Sequence, residues 1–138
     1  MKRPASIVTL LLLCISFPTS LTAIKGEVEG KAWLDAQKDP AAINVNGTWD
    51  SDEWGTFHLL QTEGSREVSG NGAGYEITGV VSGKHLFMLF VARRAVNYCA
   101  TMSPNGDNSL IGTYSGRRSL LHSGGCLEKT RPMNMTKK

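Results

Sequence analysis

Tyr75-Glu76-Ile77-Thr78-Gly79-Val80-Val81, then Ser82-Gly83, then His85-Leu86-Phe87-Met88-Leu89-Phe90-Val91-Ala92, reads as two strands joined by a glycine turn. The first run alternates at period two, which places Tyr75, Ile77 and Val81 on one face. The second run is almost wholly apolar. With Ser82-Gly83 as a two-residue turn, Val81 faces Lys84, Gly79 faces Leu86, Ile77 faces Met88 and Tyr75 faces Phe90. Directly opposed residues share a face. Tyr75, Ile77, Leu86, Met88 and Phe90 then point to an interior, and Phe87, Leu89 and Val91 point out beside Glu76 and Thr78. Three large apolar side chains on the outside of a sheet need a cover. The Trp33-Leu34 segment is the expected one; a second copy of the chain, forming a homodimer through Phe87, Leu89 and Val91, is the alternative.

Working outward, the same rhythm of strand and turn continues in both directions. Gly47-Thr48-Trp49 opens the β region, and Trp54 to Thr62 reads as a strand. Val68 to Gly70 leads into Asn71-Gly72, a strong hairpin signal. Beyond Ala92, Arg93-Arg94 makes a short reversal and 95–102 is another strand. Pro104-Asn105-Gly106-Asp107-Asn108 is a turn cluster. Ser109 to Tyr114 forms the next strand, 115–131 reads as irregular, and Met133-Asn134-Met135-Thr136 alternates again. Turns every 8–12 residues with local connections predict an all-β fold. We expect a small antiparallel up-and-down barrel of seven to eight strands, closed through 133–136, because an open meander would expose its edges. Ahead of it, residues 31–37 have the makings of one or two helical turns, ended by Pro40.

The first residues carry an address. Lys2 and Arg3 precede an apolar run from Ile7 to Ile15, and Leu21-Thr22-Ala23 comes just before Lys25 and Glu27. This is the layout of a secretory signal peptide with cleavage after Ala23, and the run is too short to span a bilayer. Leu13 ahead of Cys14 argues against lipid attachment, so Cys14 leaves with the leader. The expected organisation is a signal peptide over 1–23, an N-terminal segment with a short helix over 24–45 and a barrel over 46–138, in a secreted or periplasmic protein. In such a compartment the remaining pair, Cys99 and Cys126, reads as a disulfide.

Charge is uneven. Residues 24–83 hold four Lys/Arg against ten Asp/Glu, and residues 84–138 hold nine against two. The halves interleave in one compact domain, so no nucleic-acid partner is inferred. Arg93, Arg94, Arg117, Arg118 and Arg131 are the members of any basic face, which would attract an anionic partner. His58, His85 and His122 have no second ligand at metal spacing, and no HExxH or CxxC occurs. Asp50, Asp52 and Glu53 read as a solvated loop. Ser103, Ser115 and Ser119 lack a nucleophile elbow. Gly70-Asn71-Gly72-Ala73-Gly74 precedes no helix and is a turn rather than a phosphate cradle. No catalytic residue, metal or cofactor is expected. Asn46 and Asn134 head formal glycosylation sequons.

Gly47-Thr48-Trp49 at the start of a small exported meander resembles the calycin superfamily of lipocalins and avidins. The resemblance implies a Trp at the closed end of the barrel with an Arg laid over it, a part that Arg131 would play. The polar set with which avidins hold biotin has no counterpart, so biotin is not implied. A second resemblance, in length and in a final Thr- and Lys-rich strand, is to periplasmic metalloprotease inhibitors, whose Cys pair lies earlier. The functional expectation is a non-enzymatic barrel that binds a small apolar ligand through Tyr75, Ile77, Met88 and Phe90, with Tyr98 or Tyr114 as a polar handle. The alternative is a protein-binding inhibitor or adaptor that works through its loops or the outer apolar stripe.

Overall fold

The computed structural model describes residues 23–138. The leader assigned to 1–23 lies, but for its last residue, outside them. A short helix, α1 (Glu27–Asp35), precedes seven strands in sequence: β1 (Gly47–Ser51), β2 (Gly55–Leu60), β3 (Glu67–Gly72), β4 (Tyr75–Ser82), β5 (His85–Ala92), β6 (Ala95–Pro104) and β7 (Ser109–Gly116). A second helix, α2 (Arg117–Ser123), and the last strand, β8 (Arg131–Lys137), follow. Each strand pairs antiparallel with its neighbour in sequence, and β8 returns to β1, so the eight strands close into a barrel. The expected up-and-down closure is what the chain adopts.

The pair that decides the fold is in place with a changed register. Val81 faces Leu86, Gly79 faces Met88 and Ile77 faces Phe90, because Gly83-Lys84 rather than Ser82-Gly83 makes the turn. The slip is two residues, so every side chain keeps its face. Leu86, Met88 and Phe90 are inside, with Ile77 and Val81. The Asn71-Gly72 turn also moves: these residues belong to β3, and the reversal is Ala73-Gly74, both at positive φ (51° and 83°). Gly74 supplies the left-handed freedom that a two-residue hairpin turn needs.

The interior is filled by side chains from all eight strands, among them Trp49, Phe57, Leu59, Met102, Leu110, Met133 and Met135. Small residues make room where strands approach: a Cβ on Gly70 would collide with the carbonyl oxygen of His58, and one on Gly112 with that of Thr101. Trp49 donates from Nε1 to the Val45 carbonyl at 2.9 Å. The cation over its ring is Lys137, at 5.9 Å from the centroid. Arg131 does not take that part, since it sits opposite Tyr114 at the start of β8. Lys137 pairs directly with Trp49 across the closing seam.

The outer apolar stripe is covered from within the chain. α1 starts four residues earlier than the sequence indicates and lies across β5 and β6. Gly30 lets it approach so closely that a Cβ there would stand 2.8 Å from Leu89 Cδ1. Trp33 meets the Phe87 ring edge-on at 5.5 Å. Leu34, Leu120 and the Cys99–Cys126 disulfide complete this second core outside the barrel. The segment expected to be irregular therefore contains α2, and the disulfide ties the turn after α2 to β6. The Cα atoms of the pair are 5.8 Å apart and 27 residues separate them. Closing a loop of that size is worth about 3.5 kcal/mol on chain-entropy grounds.

Candidate functional site

One end of the barrel is built from the last residues of β1, β3, β5 and β7 and the first of β2, β4, β6 and β8. Aromatic residues crowd there because the inward positions nearest that rim are Tyr75, Phe90, Tyr98 and Tyr114. Trp54 enters from the tight turn between β1 and β2, where Gly55 at φ 81° allows the reversal. Its indole stacks on Phe90 at 5.1 Å and meets the edges or faces of Tyr98 at 5.1 Å, Tyr114 at 5.0 Å and Tyr75 at 5.9 Å. Such ring pairs are favourable at these separations. Trp54 thus occupies the centre of an aromatic box and plugs the mouth. Its Nε1–H is buried and has no acceptor, a state that costs about 1–3 kcal/mol for a buried donor.

Polar groups ring the plug. The Tyr114 hydroxyl donates to Glu53 Oε1 at 2.7 Å. The Tyr114 ring is 5% exposed, while its hydroxyl reaches the rim. The bond to Glu53 raises the Tyr114 pKa above its ordinary value, burial adds to this, and Arg131 opposes it. Beside them an open cavity of about 460 Å³ is lined by Glu53, Trp54, Tyr114, Ser115, Lys129 and Arg131, among others.

The four residues expected to meet a ligand divide into two pairs. Tyr75 and Phe90 touch Trp54 and belong to the mouth. Ile77 and Met88, 1% and 0% exposed, lie in the packed interior. Tyr98 and Tyr114, expected as polar handles, both stand at the mouth. Of the other mouth residues, the sequence reads Trp54 as a strand start and Glu53 as part of a solvated loop, and does not single out Lys129. Gly55 was the available signal: a glycine directly after Trp54 marks a reversal there instead of a strand start.

The remaining candidates separate. Asp50 accepts from Thr56 Oγ1 at 2.9 Å and pairs with Lys138 at 3.3 Å, whereas Asp52 bonds Asn134 at 2.9 Å. His58 lies 3.2 Å from Thr48 Oγ1, and His85 lies 2.8 Å from Ser103 Oγ. Among the described residues no group of three or more His, Cys, Asp and Glu could hold a metal ion. None of their helices is long and apolar enough to cross a membrane.

A second cavity, about 640 Å³, runs along the outside of the barrel between α1 and the outer face of β3 and β4. Leu34, Leu89 and Val91 form part of its floor, so the outer stripe is covered on one side and reaches this groove on the other. Leu60 stands at its edge, 64% exposed. Glu27, Asp35, Glu67 and Glu76 line it against Lys31 as the one cation.

A scan against protein-family models, a search of curated proteins and a search of solved structures find no match for this chain. The class the fold defines is a small closed eight-stranded antiparallel barrel with a disulfide-pinned helical cover.

Proposed function

We propose that this protein is an exported, non-enzymatic barrel that binds a small, apolar, planar ligand at its aromatic mouth. The observation that carries this is Trp54. A ring already sits in an aromatic box at the barrel end, held by stacking but with its N–H unsatisfied. A planar guest of similar size gains the same ring contacts, and the plug, released to water, recovers its hydrogen bond. Tyr75 and Phe90 form the walls, Tyr98 and Tyr114 supply hydroxyls, and Ile77 and Met88 support them from the interior. The Gly47-Thr48-Trp49 opening and the closed barrel support kinship with the calycins. The leader over residues 1–23 and a disulfide, which persists in oxidising compartments, support secretion or a periplasmic site.

The test is native mass spectrometry of protein purified from its own source, paired with thermal shifts on a panel of planar aromatics. We expect a retained small molecule, or stabilisation of several degrees by panel members together with a change in tryptophan emission. An unliganded mass and no stabilisation by any compound would sink the reading. Trp54→Ala should lower stability by about 2–3 kcal/mol, as a partly buried large-to-small change does. Indole should restore part of that loss by filling the vacated box, as a matched guest fills an apolar cavity.

The outer groove favours a second reading, a protein-binding module. Its apolar floor and four carboxylates fit a short segment that presents apolar side chains flanked by Lys or Arg. Glu67→Lys with Glu76→Lys would abolish capture of such a peptide if that reading holds, and leave it unchanged if the groove is idle.

A further inference from the structure

We propose that the tip of the β1–β2 hairpin, Asp52-Glu53-Trp54, is a gate over the mouth: it carries the plug, and Asn134 and Tyr114 latch it shut. This rests on the mouth being the binding site and adds how that site is opened.

The tip is tied into the sheet on one side only. Ser51 pairs with Gly55 at the root of the hairpin, but the pairing of β1 with β8 ends at Asp50 and Thr136. Beyond that point the tip is held through side chains of the facing wall. The Asp52 backbone N–H donates to Asn134 Oδ1 at 3.2 Å, and Asn134 Nδ2 donates back to Asp52 Oδ2 at 2.9 Å. The Tyr114 hydroxyl, from β7, donates to Glu53 Oε1 at 2.7 Å. Asp52, Glu53 and Asn134 are all exposed. Bonds among such groups trade readily for bonds to water, so the latch holds the tip without locking it.

The closed tip also carries a cost that opening removes. Three buried side-chain polar atoms among the described residues have no hydrogen-bond partner, and two of them, Ser51 Oγ and Trp54 Nε1, belong to this hairpin. Buried polar groups are nearly always bonded, so the pair marks a place where the closed form is not at ease. Lifting the tip brings water to both. What opposes the lift is the set of rings around Trp54, and a planar guest replaces those contacts.

Open space adjoins the tip at two places. The mouth cavity of about 460 Å³ lies against Glu53 and Trp54. A second cavity of about 690 Å³ follows the closing seam, lined by Ser51, Asp52 and Glu53 from the hairpin and by Met133 and Asn134 from β8. The tip is therefore the piece of the mouth that can move while the barrel stays closed.

The experiment follows solvent exchange of the indole N–H protons by NMR on the purified protein, with Trp54→Phe identifying the Trp54 signal. The Trp49 N–H donates to the Val45 carbonyl at 2.9 Å inside the core and reports opening of the barrel itself. We expect the Trp54 proton to exchange at least about a hundredfold faster than that of Trp49 and to ignore low denaturant, as a local opening does. Asn134→Ala and Glu53→Ala should each speed it about fivefold or more, the worth of a hydrogen bond. A guest binds only the open mouth, so each change should tighten the apparent affinity for indole by the same factor. Lys38→Gln, away from the mouth, should change neither. Exchange of Trp54 and Trp49 at one rate, with one denaturant dependence, overturns the gate. Local opening that neither latch variant speeds overturns the assignment of Asn134 and Tyr114. Faster opening with unchanged indole affinity overturns the tip's control of the mouth. Absence of indole binding in every variant overturns the mouth as the binding site and leaves the latched tip, read from exchange alone, in place.

Discussion

Gly112 and Gly116 lie four residues apart on β7 and should respond to alanine in opposite ways. A Cβ at 112 would strike the Thr101 carbonyl, whereas one at 116 meets nothing within 4 Å. Backbone cannot step aside as a flexible side chain does. Gly112→Ala should therefore cost about 3 kcal/mol or more, beyond ordinary overpacking, and Gly116→Ala less than about 1. Denaturant melts of the two variants check this. Tyr114 carries a second prediction at this scale. Its pKa is raised, first by the Glu53 hydrogen bond. The neutral phenol is favoured in the folded state, so this contribution is fully present below pH 10 and lost as pH rises through the folded pKa. Glu53→Gln should bring the Tyr114 ionisation back toward its ordinary value in an ultraviolet-monitored titration, and the loss of stability at high pH should become shallower. Individual residues of the interior were legible in the sequence because a two-residue period sorts them by face. Trp54 was not, because it plugs the barrel from a turn, where no period applies.

The β5–β6 hairpin turns on Arg93-Arg94, at φ 51° and 57°. A side chain in that region costs about 1–2 kcal/mol relative to glycine's freedom. Replacing the pair by Asn-Gly, the preferred residues of such a turn, should stabilise the protein by about 1 kcal/mol or more, measured as a higher denaturation midpoint. Turns explain where the sequence misled. Asn71-Gly72 has the strongest hairpin signature in the chain, yet the reversal falls at Ala73-Gly74. The strands pair so that Gly72 meets Phe57, and a Cβ there would press within 2.7 Å of that ring's Cγ. Interior packing outweighed local turn preference. The helices depend on a different support. α2 is only seven residues long, too short to persist alone, and the disulfide holds the turn that follows it against β6. Cys99→Ser with Cys126→Ser should cost about 3 kcal/mol, with faster amide exchange in α1 and α2 than in the barrel strands. The sequence marked the cysteine pair but not α2, whose Arg-Arg-Ser-Leu-Leu-His-Ser stretch is too short to show a helical repeat.

Across the whole molecule, the fold class was readable because every connection is local and every strand is short. The aromatic mouth was not, because its residues come from separate strands and turns and meet only when the sheet curls round. Closure itself is thin: β1 and β8 share two paired positions, Trp49 with Lys137 and Asp50 with Thr136, and Lys138 adds a backbone bond to Thr48 at 2.9 Å. That seam joins residues far apart in the chain, so its loop-closure entropy is the largest of any strand pair. It also makes closure depend on the last strand of the chain. Until residues 131–137 pair, β1 and β7 are bare edges and the mouth lacks one wall. A sheet of the first seven strands alone has two bare edges open to pairing with a neighbour. It becomes a closed vessel only when its eighth strand arrives.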